Sequence, residues 1–160
     1  MLCADPHSRN LRKARYSQPG LYYFLTTSVS GRRPIFVDED NATIVLNSIQ
    51  WLRSAGRFLV DAAVVMPDHL HVVGELGEST LSQVMHSLKS FSAKQLVTAG
   101  VAPPVWQDGY HDHGLRNDED YRLKIRYVLQ NPVRAGLVQQ VHEYPYLILP
   151  EWWKEDVENW

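Results

Sequence analysis

The chain has almost no cysteine, no long apolar run and no excess of positive charge. Cys3 is the only cysteine among 160 residues, so an internal disulfide is excluded and a reducing cytoplasm is the expected location. No apolar run approaches the roughly 18 residues of a membrane span, and the N-terminus lacks the apolar core of a signal peptide. We therefore expect a cytoplasmic protein that has no membrane partner.

The charge balance excludes one common class of DNA-binding protein. The formal net charge is −2, whereas proteins that coat duplex DNA non-specifically depend on many contacts between Lys or Arg and phosphate. The charge is uneven along the chain, because a basic arm at residues 1–20 contrasts with an aromatic and acidic tail at residues 147–160. The sequence is therefore compatible with a local basic groove.

The order of predicted elements indicates one α+β domain spanning residues 1–160. Apolar and β-branched runs predict strands, and apolar residues at helical spacing behind capping residues predict helices. In chain order these are a strand at 21–29, a helix from Asp38 or Asp40 to about Ala55, strands at 57–66 and 69–76, a helix from Thr80 to about Ala99, and a strand within 105–115. This order predicts a ferredoxin-like antiparallel sheet with helices packed on it.

A histidine pair lies in residues 66–73 (MPDHLHVV), between two predicted strands. Because side chains alternate along a strand, His69 and His71 point to one face of the sheet and Leu70 to the other. Two imidazoles side by side are a natural pair of metal ligands. The alternative is that they are ordinary histidines on a half-polar face.

A second pair, His111 and His113, lies in the last predicted strand of the sheet. The same alternation places both side chains on one face, so this pair is an equally good candidate for metal binding. The residues alone leave the choice between the two pairs open.

A third predicted helix begins at Asn117 and contains two further candidate residues. Tyr127 and Asn131 are four residues apart and share one face of its last turn. The helix must end by Asn131, because Pro132 disfavours helical geometry in the residue before it, and residues 132–138 are predicted to form a turn. Tyr127 could equally be a core aromatic residue, and Asn131 a residue that satisfies the helix terminus.

The two motifs together resemble a known family. MPDHLH at residues 66–71 and YVLQNPVRAGLV at residues 127–138 resemble the single-tyrosine HUH transposases, and in particular the REP-associated tyrosine transposases, which are associated with repetitive extragenic palindromes. The resemblance extends over roughly residues 9–146. Its two core motifs are specific, because both must occur in this order with a helix between them. Residues 20–26, 88–89 and 106–109 agree with it.

The resemblance implies a fold, a reaction and site residues. The fold would be that of the HUH endonucleases, with a C-terminal catalytic helix. His69 and His71 match the metal-binding pair, Asn131 the residue that completes the metal site, and Tyr127 the nucleophile. The metal would be Mg²⁺ or Mn²⁺. The implied activity is nicking and rejoining of single-stranded DNA hairpins through a 5′-phosphotyrosine intermediate during DNA transposition, by a monomer or a homodimer.

Several cationic and histidine side chains are expected to contact the DNA: Arg12, Lys13, Arg15, Lys89, His113 and Arg116. The tail after about residue 147 is expected to be dispensable for the fold and to tune access to the site. Three other readings stay open. These are a domesticated protein that binds hairpins with little or no cleavage, a replication or conjugation relaxase, and an unrelated metallohydrolase that uses both histidine pairs.

Overall fold

The computed structural model describes residues 17–153. Arg12, Lys13 and Arg15 of the basic arm and residues 154–160 of the predicted tail lie outside the described residues. The strands are β1 (Tyr22–Ser28), β2 (Phe58–Met66), β3 (His69–Leu76), β4 (His111–Leu115) and β5 (Leu147–Ile148), and the α-helices are α1 (Glu39–Ser54), α2 (Leu81–Thr98), α3 (Asp118–Leu129) and α4 (Asn131–Arg134). Short 3₁₀ helices span Ser30–Arg32, Ile35–Val37 and Val141–Glu143.

The five strands form one antiparallel sheet in the order β4-β1-β3-β2-β5. The first four strands have the order that a strand–helix–strand–strand–helix–strand chain gives when it folds as a ferredoxin-like sandwich. The α+β prediction is therefore confirmed. The edge strand β5, which the sequence did not predict, pairs with β2.

The two faces of the sheet are covered by different helices, and this positions the histidine pair. α1 and α2 bury apolar residues on one face, where Leu70 and Val72 of β3 also point. α3 buries Ile125 and Val128 against the other face, together with Val73. His69 and His71 alternate with Leu70 and Val72, so they point toward the α3 face.

Local signals in the sequence explain why the elements start where they do. The Asp38 side chain accepts a hydrogen bond from the Asn41 backbone N–H and caps α1. Thr80 and Gln83 form the predicted capping box of α2. Pro67 and Asp68 form the turn between β2 and β3, so that Met66 pairs with His69 across the hairpin, as predicted.

The last strand of the ferredoxin-like unit is shorter than predicted. It begins only at His111, and the segment before it makes a single bridge, between Trp106 and Val29. Trp106 is instead used in packing, since its ring is buried and its indole N–H donates to the Ser92 hydroxyl of α2. The need to bury this indole and satisfy its N–H competes with pairing in the sheet.

The chain after α3 also differs from the prediction. α3 ends at Leu129, before Pro132 as expected, but residues 131–134 form α4 where a turn was predicted. Pro132 lies in the first turn of this new helix, where a backbone N–H has no intrahelical acceptor and its loss costs nothing.

Residues 147–153 pack on the sheet, which the expectation that the chain after about residue 147 is dispensable for the fold did not anticipate. Residues 147–148 form β5, and Trp153 is buried in the same apolar cluster as Ile125 and Val128 of α3. This segment has no apolar period that could predict its packing, because its contacts are isolated aromatic side chains and two ladder residues.

Candidate active site

The two histidines at the start of β3 lie against each other on the α3 face. Their ring centroids are 4.7 Å apart and the rings are nearly perpendicular. His71 is buried, whereas His69 is half-buried. Burial, and then the nearby charges of His69 and Arg134, lower the pKa of His71 to about 3. The His71 imidazole is therefore neutral near pH 7, as a metal ligand must be.

Each imidazole is oriented by a partner at its Nδ1 atom. His69 Nδ1 is 2.6 Å from Asp68 Oδ1, and Arg32 Nε in turn lies 3.1 Å from Asp68 Oδ2. His71 Nδ1 is 2.7 Å from the Thr26 hydroxyl oxygen on β1. Both rings thus leave Nε2 as the atom for a ligand. Metal-binding histidines usually have such a second hydrogen bond, which fixes the tautomer and the ring orientation.

Replacing Thr26 with valine should weaken metal binding and leave the fold intact. Valine keeps the branched shape but removes the oxygen that orients His71, so Mn²⁺ affinity measured by calorimetry should fall about 10- to 100-fold. The matched control is Thr27→Val. Thr27 points to the opposite face, and its buried hydroxyl has no hydrogen-bond partner in residues 17–153. A Mn²⁺ affinity equal to that of the unmodified protein in Thr26→Val would contradict the assigned role.

Tyr127 projects from α3 beside the histidine pair. Its ring centroid is 6.4 Å from that of His71 and 6.4 Å from that of Phe24, which is itself 5.2 Å from His71. Tyr127 is 48% exposed, whereas its helix neighbour Val128 is fully buried. The structure thus separates Tyr127 from the core and places it at a solvent-accessible position near the His71 imidazole.

Positive charge is concentrated around Tyr127, although the whole chain is slightly acidic. Lys124 Nζ lies 5.2 Å from the Tyr127 ring centroid and 4.7 Å from that of Phe24. Arg134 Cζ lies 4.2 Å from the Tyr127 ring centroid, and its Nη2 donates to the Tyr127 carbonyl oxygen at 2.7 Å. Arg32 near the histidine pair is ion-paired with Asp68, so Lys124 and Arg134 supply the local positive charge that the net charge of −2 conceals.

Asn131 is the first residue of α4, one turn after Tyr127. It is half-buried, and its Nδ2 atom is buried without a hydrogen-bond partner in the described part of the chain. A buried amide without a partner is costly, and rotation about its last bond would exchange its nitrogen and oxygen. The carbonyl oxygen is a suitable ligand for Mg²⁺ or Mn²⁺.

The second histidine pair lies on the same face of the sheet but on its edge strand. His111 pairs with Thr26 and His113 with Phe24, and Thr26 pairs on its other side with His71. One strand therefore separates the two pairs. Within residues 17–153, no group of three or more His, Cys, Asp and Glu side chains is arranged to hold a metal ion. The two pairs do not form a common four-histidine cluster.

Two of the residues expected to contact DNA flank Tyr127, and a third lies elsewhere. His113 and Arg116 line a groove of about 330 Å³ that also contains Lys124 and Tyr127. Lys89 lies on α2, which covers the opposite face, and its ammonium group donates to the backbone carbonyl oxygens of the loop before β4. This lysine ties the loop to α2, a structural role that the sequence did not indicate.

Other residues of the site were not identified from the sequence. Lys124 could have been found, because it precedes Tyr127 by three residues and so lies on the same face of the predicted helix. Thr26 and Asp68 carry weaker signals, since their roles follow from strand register and from the conformation of the hairpin turn. Arg134 follows Pro132, and its position depends on the unpredicted helix α4.

The low pKa of His71 makes the stability of the metal-free protein depend on pH. The unfolded histidine takes up a proton below about pH 6.5, whereas the folded one does so only near pH 3. Its stabilising contribution is therefore present above pH 6.5 and is lost as the pH falls toward 3. The free energy of unfolding, measured with urea in the presence of EDTA, should fall between pH 7.5 and pH 5. The fall should be roughly 1–2 kcal/mol larger in the unmodified protein than in His71→Gln. An equal fall in the free energy of unfolding of both proteins would contradict the lowered pKa of His71.

Comparison with known proteins gives consistent matches over most of the chain. The family model described as "Transposase IS200 like" matches residues 17–130. The REP-associated tyrosine transposase of Escherichia coli strain K12 is 30% identical over 141 residues, which cover 82% of this chain and 78% of that protein. A solved REP-associated tyrosine transposase bound to a REP hairpin superposes with a TM-score of 0.73 and 26% identity, over 91% of this chain and 84% of the other.

Among residues 17–153, no helix combines the length and the apolarity needed to cross a membrane.

Proposed function

We propose that this chain, which belongs to the IS200-like transposase family and has the HUH endonuclease fold, nicks and rejoins single-stranded DNA hairpins in DNA transposition. The observation that supports this best is the exposed Tyr127 ring 6.4 Å from His71, next to the pair that His71 forms with His69. A nucleophile, two imidazoles that can bind a metal ion and local positive charge are groups that promote phosphodiester cleavage.

The proposed reaction uses Tyr127 as the nucleophile. Its Oη atom attacks the phosphorus, the bond from phosphorus to the 3′ oxygen breaks, and the proton lost by the phenol is balanced by the proton that the 3′ oxygen gains. The products are a 5′-phosphotyrosine and a free 3′ hydroxyl. Because the phosphotyrosine conserves the phosphodiester, a 3′ hydroxyl from the same or another strand can reverse the attack and join the ends.

His69, His71 and Asn131 would hold a Mg²⁺ or Mn²⁺ ion. The residues fit this role, since both imidazoles are oriented through Nδ1 with Nε2 left for a ligand, and the Asn131 Nδ2 atom is buried without a hydrogen-bond partner in residues 17–153. Such an ion, when bound, withdraws charge from the scissile phosphate. Asp68 and Thr26 keep the two rings in position, and Arg32 holds Asp68.

We propose single-stranded hairpins as the substrate, because the solved relative is bound to a REP hairpin. His113 and Arg116 line the groove next to Tyr127, and we propose that they contact the backbone of a strand entering the site. We also propose that three residues of the basic arm contact the DNA: Arg12, Lys13 and Arg15. The nucleophile and both histidines come from the same chain, so we propose that one copy contains a complete site.

The proposed function is tested by covalent capture on hairpin oligonucleotides drawn from the genomic neighbourhood of the gene. A 3′-labelled oligonucleotide should transfer its label to the protein in the presence of Mn²⁺, because the 3′ fragment carries the 5′ phosphate. A 5′-labelled copy should release a shorter unbound fragment. An oligonucleotide of the same composition that cannot form the stem serves as control. Tight hairpin binding with no adduct on any hairpin would instead favour a domesticated binding protein.

A further inference from the structure

Two cations from different elements flank the nucleophile. Lys124 reaches the ring of Tyr127 from one turn earlier in α3, and Arg134 reaches it from α4. The Arg134 side chain is anchored by the hydrogen bond from Nη2 to the Tyr127 carbonyl oxygen. Lys124 is positioned between the rings of Phe24 and Tyr127. Lys124 is half-buried and Arg134 is exposed, so neither side chain is enclosed by the core and both can turn toward the phenol oxygen.

We propose that Lys124 and Arg134 form a binding site for the phosphate of the 5′-phosphotyrosine intermediate and shift the reaction toward the cleaved state. This inference rests on the proposed function. When Tyr127 is unmodified, the two cations contact an uncharged ring and gain only cation–π energy. Once the phosphate is attached to the phenol oxygen, an anion lies at the end of the same ring, within reach of both flexible side chains.

The chemistry of the intermediate explains why such a site is useful. In the attack, the phenol oxygen gains a bond to phosphorus and the 3′ oxygen loses one. Phenolate is a better leaving group than a sugar alkoxide, so the aryl phosphodiester is the less stable of the two linkages and the equilibrium favours resealing. Cations that bind the phosphate more strongly on the tyrosine than on the intact strand offset this difference. They would also lengthen the time available for exchange of the 3′ end.

Another cation of α3, Arg122, lies outside the surroundings of Tyr127. Arg122 lies 4.8 Å from the ring centroid of Trp152, in a different groove from that of Tyr127. Its replacement removes one positive charge, as the other two substitutions do, from the helix that also carries Lys124, at a position outside the groove of Tyr127. Arg122→Gln is therefore the matched control for Lys124→Gln and Arg134→Gln.

The experiment measures the fraction of labelled hairpin held as adduct at equilibrium with Mn²⁺, and the rate at which added 3′-hydroxyl strand reseals it. Lys124→Gln and Arg134→Gln should each lower the adduct-to-substrate ratio roughly three- to tenfold. Resealing should become faster, and any rise in the Kd for the uncleaved hairpin should be smaller than the fall in the adduct-to-substrate ratio. Lys124→Arg and Arg134→Lys should recover most of the adduct, whereas Arg122→Gln should match the unmodified protein.

Each other result overturns the proposal in a recognisable way. An adduct ratio unchanged in both glutamine variants shows that the cations do not bind the intermediate. A parallel rise in Kd shows a general DNA contact, and an equal loss in Arg122→Gln shows a non-specific charge effect. Arg134→Gln also loses a hydrogen bond to the backbone and could fail to fold for that reason. In that case the result for Lys124→Gln decides the test. Failure of the unmodified protein to form any adduct would contradict the proposed function itself.

Discussion

Phenylalanine at position 127 should abolish covalent capture of DNA while leaving the protein folded and able to bind the hairpin. The substitution removes only the attacking oxygen, so the adduct should fall by about a thousandfold or more, to the detection limit. Tyr127 is 48% exposed, so the free energy of unfolding should change by less than about 0.5 kcal/mol. The measurement is a denaturing gel of 3′-labelled hairpin with Mn²⁺, beside a filter-binding Kd.

The control is another tyrosine of the same helix. Tyr121 donates to Asp61 Oδ2 at 2.8 Å, and burial together with this hydrogen bond raises its pKa, so the phenol stays protonated. Tyr121→Phe should keep the adduct and lose about 1 kcal/mol of stability. A labelled protein band that persists in Tyr127→Phe would show that another residue is the nucleophile. Tyr121 and Tyr110 would be tested next, although Tyr110 lines a cavity beside α2.

The fold could be predicted because its determinants are local. The alternation that places His69 and His71 together, the capping residues of α1 and α2, and the turn at Pro67 each act within a few residues. Only a few sheet topologies are compatible with the order of these elements along the chain. β5 could not be predicted in this way, because its two ladder residues become a strand only after β2 has formed the neighbouring edge.

The site could be predicted in its principal residues but not in their supporting contacts. Its two motifs lie 50 residues or more apart in sequence, and the structure brings His71 and Tyr127 within 6.4 Å between ring centroids. Thr26 reaches His71 only through the register of β1 with β3, which no local pattern specifies. The net charge likewise hid the concentration of Lys124 and Arg134 around Tyr127, since a sum over the chain carries no positional information.

Alanine at position 69 should eliminate metal-dependent cleavage by a route that differs from loss of the nucleophile. Removal of one imidazole leaves only one imidazole and one amide to bind the ion. Mn²⁺ affinity and cleavage should therefore both fall by about a hundredfold or more. EDTA should have the same effect on the unmodified protein, and added Mn²⁺ should reverse it. Hairpin binding should survive both treatments, because most of it would come from backbone and base contacts outside the metal site.

The competing histidine pair makes this test decisive. His111 and His113 share the α3 face with His69 and His71, but β1 separates the two pairs. Calorimetry with Mn²⁺ should therefore show near-normal affinity in the double variant His111→Ala/His113→Ala and lost affinity in His69→Ala. Either replaced histidine could still weaken DNA binding, since His113 lines the groove beside Tyr127. Loss of Mn²⁺ binding in the His111/His113 variant, with normal binding in His69→Ala, would assign the ion to the edge strand and leave Tyr127 without a metal partner.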